Sequence, residues 1–186
     1  MLRLLIFTLL ILGATAKSNS CVGNNTTQRQ ILMTFYNTTN GPNWIIPPHT
    51  IGVQWTTTLD YCQWAGVTCW EPSFDGCDTM VYLLIGNFGL NGYVPESLSK
   101  LSVLGLDLSR NPLLYGSLPN NLFATMPVRY LYLYSTGITG DLPNFGSPCD
   151  LTTLEISNTN ITSIDVHNCL NLRQVIMDNT LVSGHR

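Results

Sequence analysis

The hydrophobic period of the chain changes partway along. Ile31, Leu32, Phe35 and Tyr36 fall at i, i+1, i+4 and i+5, the spacing of one helix face. Thr26 and Thr27 can cap that helix, which is predicted to run to about Asn37. From about residue 82 the period becomes two. Tyr130, Leu131, Tyr132, Leu133 and Tyr134 alternate strictly, as in a strand with unlike faces. Shorter alternations recur upstream and downstream, and they keep step with turn residues. Gly92, Gly116 and Gly140 are 24 residues apart, as are Pro95, Pro119 and Pro143.

Three phrases carry this spacing: LLIGNFGLNGYVP (83–95), LDLSRNPLLYGSLP (106–119) and LYLYSTGITGDLP (131–143). Their common frame is L-x-L-x-x-N-x-L-x-G-x-(L/V)-P, with one extra residue in the second copy within 111–116. A period in this range with this frame is identified as the leucine-rich repeat signature. LEISNTNITSI (154–164) and VIMDNTLV (175–182) are looser copies without the Gly-x-x-Pro tail. The expected fold is an α/β repeat, a solenoid of about five coils whose strands pair into one parallel concave sheet, right-handed as the resemblance to leucine-rich repeat proteins implies. The first and third residues of each L-x-L point inward. The frame asparagine normally feeds its amide into backbone groups where the strand turns away. Only Asn111 fills that position. Thr136, Thr159 and Thr180 can replace it in part, whereas Phe88 cannot, so the first coil is expected to be irregular there.

The first coil of a solenoid has an open apolar end, which an amphipathic helix with large aromatics can cover. Trp44, Trp55 and Trp64 are therefore read as core of such a cap. The run FYNTTNGPNW, a later Trp and CQWAGVTC, just upstream of Gly-x-x-Pro repeats, resemble the plant-type leucine-rich repeat N-terminal domain. That family includes receptor-kinase ectodomains and polygalacturonase-inhibiting proteins. The resemblance implies a non-catalytic binding protein and a disulfide between Cys62 and Cys69. It leaves Cys21 with Cys77 as a candidate pair, a bond between Cys69 and Cys77 being the alternative. Cys149 and Cys169 lie one coil apart, either bonded across adjacent coils or as two buried thiols. The segment WEPSFDGCDTM (70–80) is longer than the usual link into the first strand, and no C-terminal cap is recognisable. The resulting division is a signal peptide over 1–16, a capping domain over 17–80 and repeats over 81–186.

Composition narrows the setting. Arg3, the apolar run 4–12 and Ala14-Thr15-Ala16 form a secretory signal pattern, too short for a membrane span. An exported chain with six cysteines favours disulfides over metal or redox chemistry. No Cys-x-x-Cys occurs, and His49, His167 and His185 are scattered, so neither a metal nor a cofactor is expected. A net charge of −3 with 10% charged residues and no basic patch argues against nucleic acid. Asn24, Asn25, Asn37 and Asn160 sit in N-x-Ser/Thr triplets open to glycosylation, the first two overlapping.

Catalysis needs convergent groups. Glu71, Asp75 and Asp78 cluster without a histidine or nucleophile and read as a solvated loop. GNFGLNG (86–92) lacks the Lys-Ser/Thr of a phosphate loop, and nothing completes a triad with Asp107 and Ser109. The concave positions are more informative: Tyr82, Leu84, Gly86; Gly105, Asp107, Ser109; Tyr130, Tyr132, Tyr134; Thr153, Glu155, Ser157; Gln174, Ile176, Asp178. Three tyrosines flanked by Asp107 and Glu155 suit a binding surface. Tyrosine is also simply a good strand residue. The expected function is recognition of an extracellular protein, peptide or glycan by a secreted or cell-surface protein, as a soluble binder or the N-terminal part of a receptor. An inhibitor of a cell-wall-degrading hydrolase, or a structural wall or adhesion protein, is the alternative.

Overall fold

The computed structural model describes residues 19–70 and 79–183. The signal segment (1–16), the acidic loop and Cys77 lie outside the described residues, as do the side chains of Cys21, Asn24 and Asn25. Helix α1 spans Asn19–Thr38. It begins earlier than its pattern predicts, so Thr26 and Thr27 lie within it and do not cap it. The residues before them cost helix propensity, but no proline interrupts the backbone ladder. The predicted face is correct: Ile31, Leu32, Phe35 and Tyr36 are all buried.

That face closes on tryptophans. Trp44 meets Tyr36 and Trp55 edge-on at 5.1 and 4.9 Å, and Trp55 stacks on Trp64 at 5.3 Å. Trp55 and Trp64 are buried, as a cap core requires. The Arg29 guanidinium lies 4.6 Å from the Trp64 ring centre and donates to the Thr57 and Leu59 carbonyls. Cys62 is bonded to Cys69, their Cα atoms 5.5 Å apart.

Among the described residues ten strands follow in chain order: β1 (Val67–Trp70), β2 (Thr79–Leu84), β3 (Asn91–Gly92), β4 (Gly105–Asp107), β5 (Leu113–Gly116), β6 (Tyr130–Tyr132), β7 (Gly137–Asp141), β8 (Thr153–Glu155), β9 (Asn160–Ser163) and β10 (Gln174–Ile176). The main ribbon has the order β1-β2-β4-β6-β8-β10. It is parallel from β2 onward, while β1 runs antiparallel to β2. This antiparallel edge strand, not anticipated from the repeats, ties the cap to the first coil. A second parallel ribbon, β3-β5-β7-β9, runs through the Gly-containing segments.

Leu83, Leu106, Leu131 and Leu154 stand side by side and buried, with Val175 fifth in the row. The steps between them are 23, 25, 23 and 21 residues, so the even Gly and Pro spacing conceals a long second coil. The second ribbon absorbs the difference: Gly92 lies opposite Leu114, and Gly116 opposite Ile138.

The turns out of β2, β4, β6, β8 and β10 share one left-handed residue. Asn87, Arg110, Ser135, Asn158 and Asn179 all have φ between 55 and 61°, each just before the frame-asparagine position. Thr136, Thr159 and Thr180 donate to the carbonyls three residues back, at 2.7, 2.7 and 3.0 Å. Asn111 does more. Its Nδ2 donates toward the carbonyls of Leu108, Ser109 and Ile85, and its Oδ1 accepts from the Leu90 amide. Two of those partners belong to the first coil. The irregularity expected at Phe88 is therefore absent, because the neighbouring coil supplies the amide that Phe88 lacks. Phe88 packs against Trp44 at 5.9 Å and is buried. In the last coils, Cys149 is bonded to Cys169 with Cα atoms 4.7 Å apart, so of the two readings the disulfide is the one present.

Candidate functional site

The inward leucines fill the core, and alternation turns their neighbours to the concave side of the main ribbon. Register makes this face a grid. Its first row is Tyr82, Gly105, Tyr130, Thr153 and Gln174. The second is Leu84, Asp107, Tyr132, Glu155 and Ile176. Ladder bonds from Arg110 to the Tyr134 carbonyl and from Ser135 to the Ser157 carbonyl extend it to a third, with Ser109, Tyr134 and Ser157.

The residues singled out in the sequence therefore meet. Asp107 and Glu155 flank Tyr132 on the adjacent strands. Burial, and then the two carboxylates, push the Tyr132 phenol above its ordinary value of 10.0, so it stays a neutral hydrogen-bond donor across the physiological range. Tyr130 is the most open of the three tyrosines, and Tyr132 and Tyr134 are half-buried. The Arg110 guanidinium lies 5.5 Å from the Tyr134 ring centre. Asp107 accepts from the Ser109 amide at 2.9 Å, which fixes its carboxylate.

Small residues shape the floor around Asp107. A Cβ on Gly86 would come within 3.0 Å of both Asp107 carboxylate oxygens. A Cβ on Gly105 would come within 2.5 Å of the Tyr82 ring, which lies across it. Both glycines were read from the sequence as concave positions, but no role was assigned to them, because outside the Gly-x-x-Pro tail a glycine carries no periodic signal.

A further feature was also missed. Along the edge where the chain enters β6, β8 and β10, a cavity of about 540 Å³ is lined by Arg129, Tyr130, Asp150, Thr152, Arg173 and Gln174, among others. Arg129 and Arg173 precede equivalent strand positions two coils apart. Their separation of 44 residues along the chain hides this pairing. Among the described residues, no group of three or more His, Cys, Asp or Glu could hold a metal ion. Asn37 and Asn160 are both exposed.

Comparison with known proteins accords with this architecture. Residues 25–70 match the leucine rich repeat N-terminal domain family. Phytosulfokine receptor 1 of Arabidopsis thaliana is 33% identical over 89 residues, 47% of this chain and 8% of that protein. The LRR receptor-like serine/threonine-protein kinase GSO2 of the same plant is 31% identical over 86 residues, 45% of this chain and 6% of that protein. The chain thus spans less than a tenth of either relative. Two solved Arabidopsis ectodomains share the fold. That of BIR2 is 23% identical with a TM-score of 0.65, covering 84% of this chain and 81% of that one. That of the receptor kinase GASSHO1/SCHENGEN3, solved in complex with CASPARIAN STRIP INTEGRITY FACTOR 2, is 24% identical with a TM-score of 0.68, covering 82% and 18%. Among the described residues, no helix is long and apolar enough to cross a membrane.

Proposed function

Because the chain is a leucine-rich repeat protein with an N-terminal domain of that family, similar to plant receptor ectodomains, we propose that it is an extracellular recognition module. It binds a protein, peptide or glycan on its concave ribbon and performs no chemistry on it. The observation that carries this reading is the central block of the grid. Tyr130, Tyr132 and Tyr134 lie outside the packed core, bracketed by Asp107 and Glu155, where tyrosine is not needed to hold the coil together. Rigid aromatic side chains there give contact area at small entropic cost. The leucines between them already supply the burial that stabilises β6.

In this reading residues 1–16 direct export, residues 17–80 cap the solenoid and residues 81–186 present the ligand face. The protein is secreted or displayed at the cell surface, with glycans on exposed Asn37 and Asn160. The GASSHO1/SCHENGEN3 ectodomain, which shares the fold, was solved with CASPARIAN STRIP INTEGRITY FACTOR 2 bound.

The test is a screen of extracellular proteins, peptides and cell-wall oligosaccharides against the wild-type chain and a variant with Tyr130, Tyr132 and Tyr134 changed to alanine. Each truncation is expected to weaken binding by about 1–2 kcal/mol, with the circular dichroism spectrum unchanged. A ligand that binds both proteins equally sinks the reading. Stoichiometric loss of a hydrolase's activity on adding the wild type, but not the variant, would identify that ligand as an enzyme.

A further inference from the structure

Resting on that reading of the concave face, we propose that the occupant of its central row is a basic side chain of an extended polypeptide, an arginine or lysine laid over Tyr132 between Asp107 and Glu155. The two carboxylates stand on the strands either side of Tyr132. Neighbouring strands are about 4.8 Å apart, so a cation centred on the ring lies within reach of both. Among the described residues neither carboxylate has an ion-pair partner. Asp107 is held by a backbone amide, and Arg110 lies over Tyr134 instead. The cation that would complement the row is thus not supplied by the residues around it.

The surroundings point the same way. The Asp107 carboxylate lies against Gly86 and the Tyr82 ring covers Gly105, so these two glycines let the carboxylate seat on the ribbon between the strands that carry Tyr82 and Tyr132. One step beyond Glu155 on the same face, Ser157 is 7% exposed and its buried hydroxyl has no hydrogen-bond partner. An unpaired buried hydroxyl costs free energy, and a guanidinium or ammonium N–H is a donor whose bond it can accept. Burial first, and then Asp107 and Glu155, raise the Tyr132 phenol; the two carboxylates on the adjacent strands attract a cation and not a neutral sugar. Arg129 and Arg173 at the strand-entry edge disfavour the same cation, so the basic side chain is directed to the middle of the ribbon.

The test uses Nα-acetyl-arginine amide and Nα-acetyl-lysine amide as probes, with Nα-acetyl-citrulline amide as the neutral counterpart of arginine. Each is titrated into the chain carrying ¹³C-labelled tyrosine, and the ring resonances are followed by NMR. The cationic probes are expected to shift Tyr132 saturably, and citrulline to leave it in place. Asp107→Asn and Glu155→Gln should each weaken the response about fivefold. Asp107→Glu, which keeps the charge, should retain most of it. The Asp107→Asn variant still has a side-chain oxygen to accept from the Ser109 amide, so its fold is preserved. Equal shifts with citrulline, no shift with any probe, or indifference to both charge-removing substitutions would overturn the inference. Its failure is separable from that of the broader reading. A ligand found in the screen that needs the tyrosines but not Asp107 or Glu155 leaves the concave face standing without its cation.

Discussion

Asn111 shows how one side chain can hold two coils. Its amide is fully buried and bonds to Leu108 and Ser109 in its own coil and to Ile85 and Leu90 in the one before. Changing it to alanine leaves buried backbone groups of both coils without these partners. The expected loss is about 2–4 kcal/mol of unfolding free energy. Thr136→Val removes a single bond within one coil, to the Leu133 carbonyl, and should cost about 1 kcal/mol. Urea denaturation of the two variants distinguishes them, and equal midpoints would mean that the bonds between coils contribute nothing. Asn111 was legible in the sequence because the repeat frame names its position. The left-handed residue just before it was not. Arg110 and Ser135 take φ of 56 and 55°, although neither is a residue type that favours the region, so their conformation comes from the geometry of the coil. The tyrosines were legible for the opposite reason: they fall at positions where the frame makes no demand.

Where cap meets solenoid, a position that looked like a defect in the repeat is a packing solution. Phe88 occupies the asparagine position of the first coil, yet its ring is buried against Trp44, which in turn contacts Tyr36 and Trp55. The coil behind it needs no local amide, because Asn111 reaches back. Restoring the repeat by Phe88→Asn should therefore destabilise the protein by about 3–5 kcal/mol, the range for emptying a buried aromatic site. The added amide would also be buried among apolar rings. Calorimetry of the variant decides the matter: a melting temperature equal to or above the wild type would show that the asparagine frame outweighs the aromatic contact. The helix face and the cap tryptophans could be read from the sequence, since burial of large apolar groups follows local pattern. The edge strand β1 and the second ribbon could not. Their pairing depends on which segments the stacked coils bring side by side, and strands as short as Asn91–Gly92 leave almost no periodic trace.

A solenoid contacts itself only between neighbours, so its stability is distributed along one axis and its ends open first. The first end is sealed by α1 and the tryptophans. In the last described coil the inward pair, Val175 and Met177, is 39% and 45% exposed, whereas Leu131 and Leu133 in the middle are fully buried. The disulfide between Cys149 and Cys169 joins the segments leading into β8 and β10, and so clamps this weaker coil to its neighbour. Hydrogen exchange can test this directly, because equivalent amides donate across each junction. Leu108 and Arg110 donate to Tyr132 and Tyr134 in the middle, and Ile156 and Asn158 donate to Ile176 and Asp178 at the end. The middle pair is expected to be protected at least about tenfold more strongly than the end pair. Replacing Cys149 and Cys169 with alanine should then accelerate exchange at Ile156 and Asn158 while leaving Leu108 and Arg110 nearly unchanged, because the constraint lost is local to one junction. If all four amides accelerated together, the chain would be unfolding as one cooperative unit. The concave tyrosines of β6 would then owe their rigidity to the whole solenoid and not to the coils on either side.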